Sequence, residues 1–157
     1  MTNVPSPIGG LTAYINVEGA SEALAFYQKA FGAEELVRLP FKDGKRLMHC
    51  CLKINDGFLM MSDCFPEMGM SREPSSNYTM HLQVDDIDAW WTRAVDAGAT
   101  VTMPVQAMFW GDNFGKLRDP FGSTGRWAHP SRPDAAMENK IGGQANSNAY
   151  LPRRRDQ

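Results

Sequence analysis

The chain repeats itself, and the repeat constrains the fold more than any other feature of the sequence. Residues 11–35, LTAYINVEGASEALAFYQKAFGAEE, and residues 78–101, YTMHLQVDDIDAWWTRAVDAGATV, follow the same order: alternating strand, acidic turn, amphipathic helix, glycine stop, new strand. Val17 matches Val84, and Phe31-Gly32-Ala33 matches Ala97-Gly98-Ala99. A period of this length marks a supersecondary unit used twice.

In the first copy Ser21 and Glu22 open a helix whose apolar stripe is Ala23, Leu24, Phe26, Tyr27, Ala30 and Phe31, and Gly32 ends it. In the second, Asp85, Asp86 or Asp88 is the cap, Ile87, Trp90, Trp91, Ala94 and Val95 form the stripe, and Gly98 ends it. Strand patterns follow each helix, at 34–39, 47–54 and 58–62, then at 100–105, 114–118 and 124–128. Turn signals separate them at Lys42-Asp43-Gly44, Asn55-Asp56-Gly57, Gly111-Asp112-Asn113 and Asp119-Pro120-Phe121-Gly122. Both halves read as strand, helix, strand, strand, strand.

Side chains alternate across a strand, so the first strand of each copy assigns the faces. Leu11, Ala13, Ile15 and Val17 form an apolar row, with Thr12, Tyr14 and Asn16 opposite. Tyr78, Met80, Leu82 and Val84 alternate with Thr79, His81 and Gln83 in the same way. The apolar rows take the helices, because a one-sided helix and a half-apolar strand remove area from water only against each other, at roughly 25 cal/mol per Å². The polar rows face either a shared hollow between two curled sheets or bulk water, and pattern alone leaves both readings open.

Composition narrows the function classes. The 157 residues carry a formal charge of -2, and the one basic cluster is Arg153, Arg154 and Arg155, so a nucleic-acid partner is not expected. No basic leader with an apolar run opens the chain and no stretch approaches a membrane span, which gives a cytoplasmic expectation and no membrane partner. Cys50, Cys51 and Cys64 form no CxxC and read as reduced, small apolar residues. No G-x-G-x-x-G follows a predicted strand, and G-x-S-x-G, phosphate-loop and H-E-x-x-H motifs do not occur, so nucleotide, hydrolase and zinc-helix chemistry lack their usual carriers. Residues 130–157 lack apolar periodicity and read as a tail that is partly disordered or wraps the surface.

The paired modules, together with AFYQKAFGAE, LMMSDCFPEMG, VDDIDAWWTRAVDAGATVTMP and MFWGDNFGKLRDPFG, resemble the vicinal-oxygen-chelate superfamily. That superfamily includes glyoxalase I, bleomycin-resistance proteins, fosfomycin-resistance enzymes and extradiol dioxygenases. More narrowly, the chain looks like the PhnB-like branch, labelled as 3-demethylubiquinone 3-methyltransferase-like. The resemblance covers residues 8–129, as modules of about 8–65 and 75–129. It implies an α+β fold of two βαβββ modules in a cupped mixed sheet with helices on the outer face, assembled as a homodimer. One scaffold serves isomerases, transferases, dioxygenases and binders, so function must come from the site.

Metal-using relatives place ligands on the first strand of each module, and the matching positions here are Thr12 and Thr79, poor ligands for a divalent ion. The last carboxylate ligand falls near Arg126, and Ser123 stands where the PhnB-like pattern has a histidine. A cation where a carboxylate belongs repels a metal ion. Methyl transfer is disfavoured for want of a cofactor turn.

The expected function is therefore metal-independent binding of a small organic ligand in a cavity between modules, against Tyr14, His81, Phe109 and Trp110, with Asp112 and Arg118 orienting a polar group and Thr12 and Thr79 in the wall. No cofactor is expected. One alternative is a divalent-metal lyase, isomerase or dioxygenase with a displaced site of His81, His49 and Asp63; another is a non-catalytic structural dimer.

Overall fold

The computed structural model describes residues 10–72 and 78–121, and the backbone of 126–128. The predicted tail at 130–157 and Ser123 lie outside the described residues. The first half forms β1 (Ala13–Val17), α1 (Ala20–Phe31), β2 (Glu34–Pro40), β3 (Leu47–Ile54) and β4 (Gly57–Asp63), then a single helical turn at Pro66–Met68. The second half forms α2 (Ile87–Ala97), β5 (Thr100–Ala107), β6 (Asn113–Arg118) and β7 (Arg126–Ala128). The first sheet is mixed, in the order β1-β4-β3-β2, with β1 parallel to β4 and the other pairs antiparallel. The second is antiparallel, β5-β6-β7.

Both helices start and stop for reasons visible in their residues, though not always the expected ones. Gly32 and Gly98 end them in the left-handed region, at φ 61° and 114°, where a side chain would be strained. Asp86 caps α2 by accepting the Ala89 amide at 3.0 Å. Ser21 does not cap α1, which begins one residue earlier behind a left-handed Gly19 with no local side-chain cap. The acceptor comes from β4 instead: Asp63 Oδ1 takes the amides of Gly19 and Ala20 at 2.9 and 3.0 Å.

The expected apolar faces meet in one cluster. Ala20, Ala23, Leu24, Phe26, Tyr27, Ala30 and Phe31 of α1 pack with Ile15, Val17, Cys50, Leu52, Leu59 and Met61 of the first sheet, and with Leu82, Val84, Ile87, Ala94 and Leu117 of the second half. Each fully buried Leu or Phe contributes about 1.5–3 kcal/mol to this core. Polar ties between the halves include Arg93 Nε, which donates to the Ala30 carbonyl at 2.9 Å, and the buried Tyr27 hydroxyl, which donates to Asp119 Oδ2 at 2.8 Å. Val95, placed on the α2 stripe by periodicity, is instead exposed, and Trp90 and Trp91 are half-buried against the core.

The two modules differ where the sequence has them alike. Among the described residues, 78–84 forms no strand, only an isolated bridge position at His81. Its alternation survives, with Leu82 and Val84 buried and Thr79, His81 and Gln83 exposed. In the first module β1 runs its whole length along β4; the equivalent support would be β7, described for three residues only. Burial alternation follows from packing on a core, whereas a ladder needs a partner strand of matching length. Among the described residues no helix is long and apolar enough to cross a membrane.

Candidate functional site

The residues that open the two repeats converge. Leu11, Thr12 and Ala13 face Tyr78, Thr79 and Met80 across a cleft of about 570 Å³, which Ile54, Gly57, Phe58, Leu59, His81 and Leu82 complete. The spacing that aligns Val17 with Val84 aligns these two triplets position by position, so the cleft lies on the internal pseudo-symmetry of the chain. Thr12, Thr79, His81 and the Tyr78 hydroxyl supply its side-chain polar groups, and Leu11, Phe58 and the Tyr78 ring are exposed along it. A mostly apolar wall with sparse polar groups is the usual make-up of a small-molecule site. Next to the cleft residues Ile54 and Leu82, the Asn55 side-chain amide donates to the Gln83 carbonyl at 2.8 Å.

Sequence reasoning missed Leu11, Phe58 and Tyr78. The signal for Leu11 and Tyr78 was present, since each begins its repeat. Leu11 was placed on the helix-facing row, but it precedes β1 and is wholly exposed.

Tyr14 and His49 meet on the face of the first sheet turned away from α1. Their rings stack with centroids 5.7 Å apart, and the Tyr14 hydroxyl lies 3.3 Å from His49 Nδ1. Cross-strand register sets Tyr14 opposite Met60, and Asn16 opposite Ser62, whose hydroxyl accepts from the Asn16 amide at 2.8 Å. Neither Tyr14 nor His49 lines the cleft.

Asp63 has a structural position. It is 4% exposed, Oδ1 accepts from Gly19 and Ala20, and Oδ2 accepts from the Leu47 amide at 2.6 Å. The carboxylate joins β4 to the start of α1 and the start of β3. A ligand role would strip three backbone donors of their acceptor.

The remaining candidates sit on the β5–β6 hairpin, away from the cleft lining. Phe109 is 97% exposed, its ring T-shaped against Trp110 at 4.8 Å, and Trp110 in turn meets Phe114 at 5.9 Å. Asp112 closes the hairpin through its backbone carbonyl, which accepts the Met108 amide at 2.8 Å. Arg118 does not pair with Asp119: it is exposed and lines a shallow groove with Thr102, Met103 and Lys116, while Asp119 is buried under Tyr27 and accepts the Phe121 amide at 3.0 Å. The single wall of Tyr14, His81, Phe109 and Trp110 is thus divided among the sheet face, the cleft and the hairpin tip. Strand order could not foresee this, because it fixes faces and leaves open how far a hairpin tip projects. Backbone register sets Arg126 opposite Arg118.

Burial accounts for the thiols. Cys50 and Cys51 are 0% and 1% exposed, and burial pushes the Cys50 thiol up to about 11 and raises Cys51 and Cys64 as well. These are poor nucleophiles at neutral pH.

Among the described residues no three of His, Cys, Asp or Glu converge as a metal site. His81 stands in the cleft with two threonines, and both oxygens of Asp63 are engaged by backbone amides. The described residues do not fit a resident divalent ion.

Comparison with known proteins places this geometry. The family model of the glyoxalase/bleomycin resistance protein/dioxygenase superfamily matches residues 10–124. The chain belongs to this superfamily. Uncharacterized protein Mb0911c of Mycobacterium bovis is 42% identical to this superfamily member over 128 residues, covering 78% of this chain and 84% of the relative. Among solved structures, protein PA1353 of Pseudomonas aeruginosa superposes with TM-score 0.64 at 27% identity, covering 79% of this chain and 98% of its own. The fosfomycin resistance protein FosX of Listeria monocytogenes shares the fold, with TM-score 0.62 at 16% identity over 79% and 94% of the two chains. The member described here keeps the vicinal-oxygen-chelate scaffold.

Proposed function

We propose that this superfamily member binds a small organic molecule in the cleft between residues 11–13 and 78–80, without a resident metal ion. The convergence of repeat-equivalent residues on one mostly apolar cleft carries the reading: Phe58, Leu59 and Tyr78 supply contact area, and Thr12, Thr79 and His81 orient a polar group. Within the superfamily the reading is PhnB-like, supported by the WGDNFGKLRDPFG stretch and by the fold shared with a PhnB protein of Bacillus cereus, TM-score 0.62 at 16% identity. The working unit is a homodimer, supported by Leu11, which is apolar and fully exposed beside the edge strand β1, and by exposed Met68 and Met70.

Thermal shift of untagged protein against a panel of aromatic and peptide-like compounds tests the binding reading. A ligand at about 100 times its Kd adds roughly 2.7 kcal/mol to stability. Phe58→Ala and His81→Ala abolish the shift if the cleft is the site, and an unchanged shift in both refutes it. A metal assay on the same protein addresses the competing reading. About one equivalent per chain, lost in His81→Ala, would establish a metal centre on this scaffold in place of the proposal. Sedimentation velocity reads the dimer directly.

A further inference from the structure

The hairpin stretch that the cleft does not use has a chemistry of its own. Phe114, Lys116 and Arg118 alternate along β6 and therefore share one face of the second sheet. On the other face Gly115 and Leu117 are buried, and Gly115 lies so close beneath Trp91 that an added Cβ would come within 2.6 Å of its ring. Lys116 and Arg118 line one groove of about 330 Å³ with Thr102 and Met103. Among the described residues neither cation is in an ion pair, whereas Arg38 and Arg46 are both matched to carboxylates. Two cations on adjacent same-face positions repel each other, and without a counter-charge that repulsion opposes the arrangement.

The acidic groups nearest in sequence do not relieve it. Asp119 is buried on Tyr27 and the Phe121 amide, and Asp112 lies four residues from Lys116, about 13 Å along an extended strand. Next to the cations the surface turns aromatic. Lys116 Nζ lies 5.7 Å from the centre of the Phe114 ring, Phe114 meets Trp110, and Trp110 meets the exposed Phe109. A planar fork and a point charge beside exposed rings suit a ligand that is flat and apolar at one end and carries a carboxylate at the other.

We propose that this face of β6 is a second binding site, for an aromatic carboxylate, with Arg118 and Lys116 holding the carboxylate and the Phe114–Trp110 pair packing against the ring. It shares no residue with the cleft lining, so each site stands or falls separately.

Calorimetric titration of the full chain with naphthoate, and with neutral naphthamide, tests it. Naphthoate binds one per chain, and binding weakens in about 0.5 M NaCl because exposed charges are screened. Naphthamide binds roughly tenfold more weakly or worse, and Arg118→Gln and Lys116→Gln each cost naphthoate a similar factor, as loss of a charge-assisted contact should. Phe114→Leu costs less, about threefold. Both cations are at least partly exposed, so the variants keep the native Tm. The proposal is overturned by equal affinity for acid and amide, by unchanged naphthoate binding in the double variant, by no detectable binding, or by loss of binding in Phe58→Ala, which would put the ligand in the cleft.

Discussion

Two helices in equivalent positions of the repeat solve the same problem differently. Each must satisfy amides at its N-terminus, and each uses an aspartate. In α2 the aspartate is Asp86, the residue just before the helix, and its bond to Ala89 is exposed. In α1 it is Asp63, buried, more than forty residues downstream on β4, and also bonded to the Leu47 amide. The first cap is a local convenience; the second is a tertiary joint among a helix and two strands. The cap of α1 is therefore part of the tertiary structure, while that of α2 is confined to its own first turn.

Substitution of the two aspartates should separate them. Asp63→Ala removes the acceptor of three backbone amides and is expected to cost about 3 kcal/mol or more, read as a fall in urea midpoint at constant m-value. A cost near that of an ordinary surface change would break the contrast. Tyr27→Phe comes next, at about 1.5–3 kcal/mol, because it removes a hydroxyl donor from the buried Asp119 carboxylate. Asp86→Ala should cost only about 1 kcal/mol, and Asp86→Ser should restore most of it.

The smallest effect concerns acid. Asp43 is held down at about 2 by its hydrogen bond to the Arg46 side chain and by the Arg46 and Lys45 amides, and Glu67 is lowered by the same arginine. A carboxylate whose folded pKa is depressed contributes fully above its unfolded pKa, about 3.9, and loses that contribution as pH falls through about 2. The Tm of the wild type should thus fall between those limits, and Arg46→Gln should show a shallower fall. Identical profiles would remove Arg46 as the cause.

The sequence made the repeat, both helices, the strand runs after them and the helix-facing rows readable, because burial on one face imposes a period on the side chains. It narrowed the α2 cap to Asp85, Asp86 or Asp88, because a cap's partner lies within one turn, and Asp86 is the one that accepts the Ala89 amide. It could not expose Asp63, which stands in LMMSDCF as an ordinary acidic residue and acquires its role only when β4 reaches Gly19 and Leu47. Nor could it resolve the polar rows. Thr12, Thr79 and His81 came together because the repeats open at the same edge, but Phe109 and Trp110 went to a hairpin tip whose projection depends on the β5–β6 register shifts. Resemblance pointed to Thr12 and Thr79 before any geometry was available; periodicity alone would have placed Leu11 beneath the helix.

The Tyr27–Asp119 bond spans 92 residues and crosses from the first repeat to the second. A half-length fragment would carry only one end of that bond, although Asp119 would still accept the Phe121 amide. The two copies recognisable along the chain are thus joined by a buried bond through a common core, and they are expected to unfold as one cooperative unit.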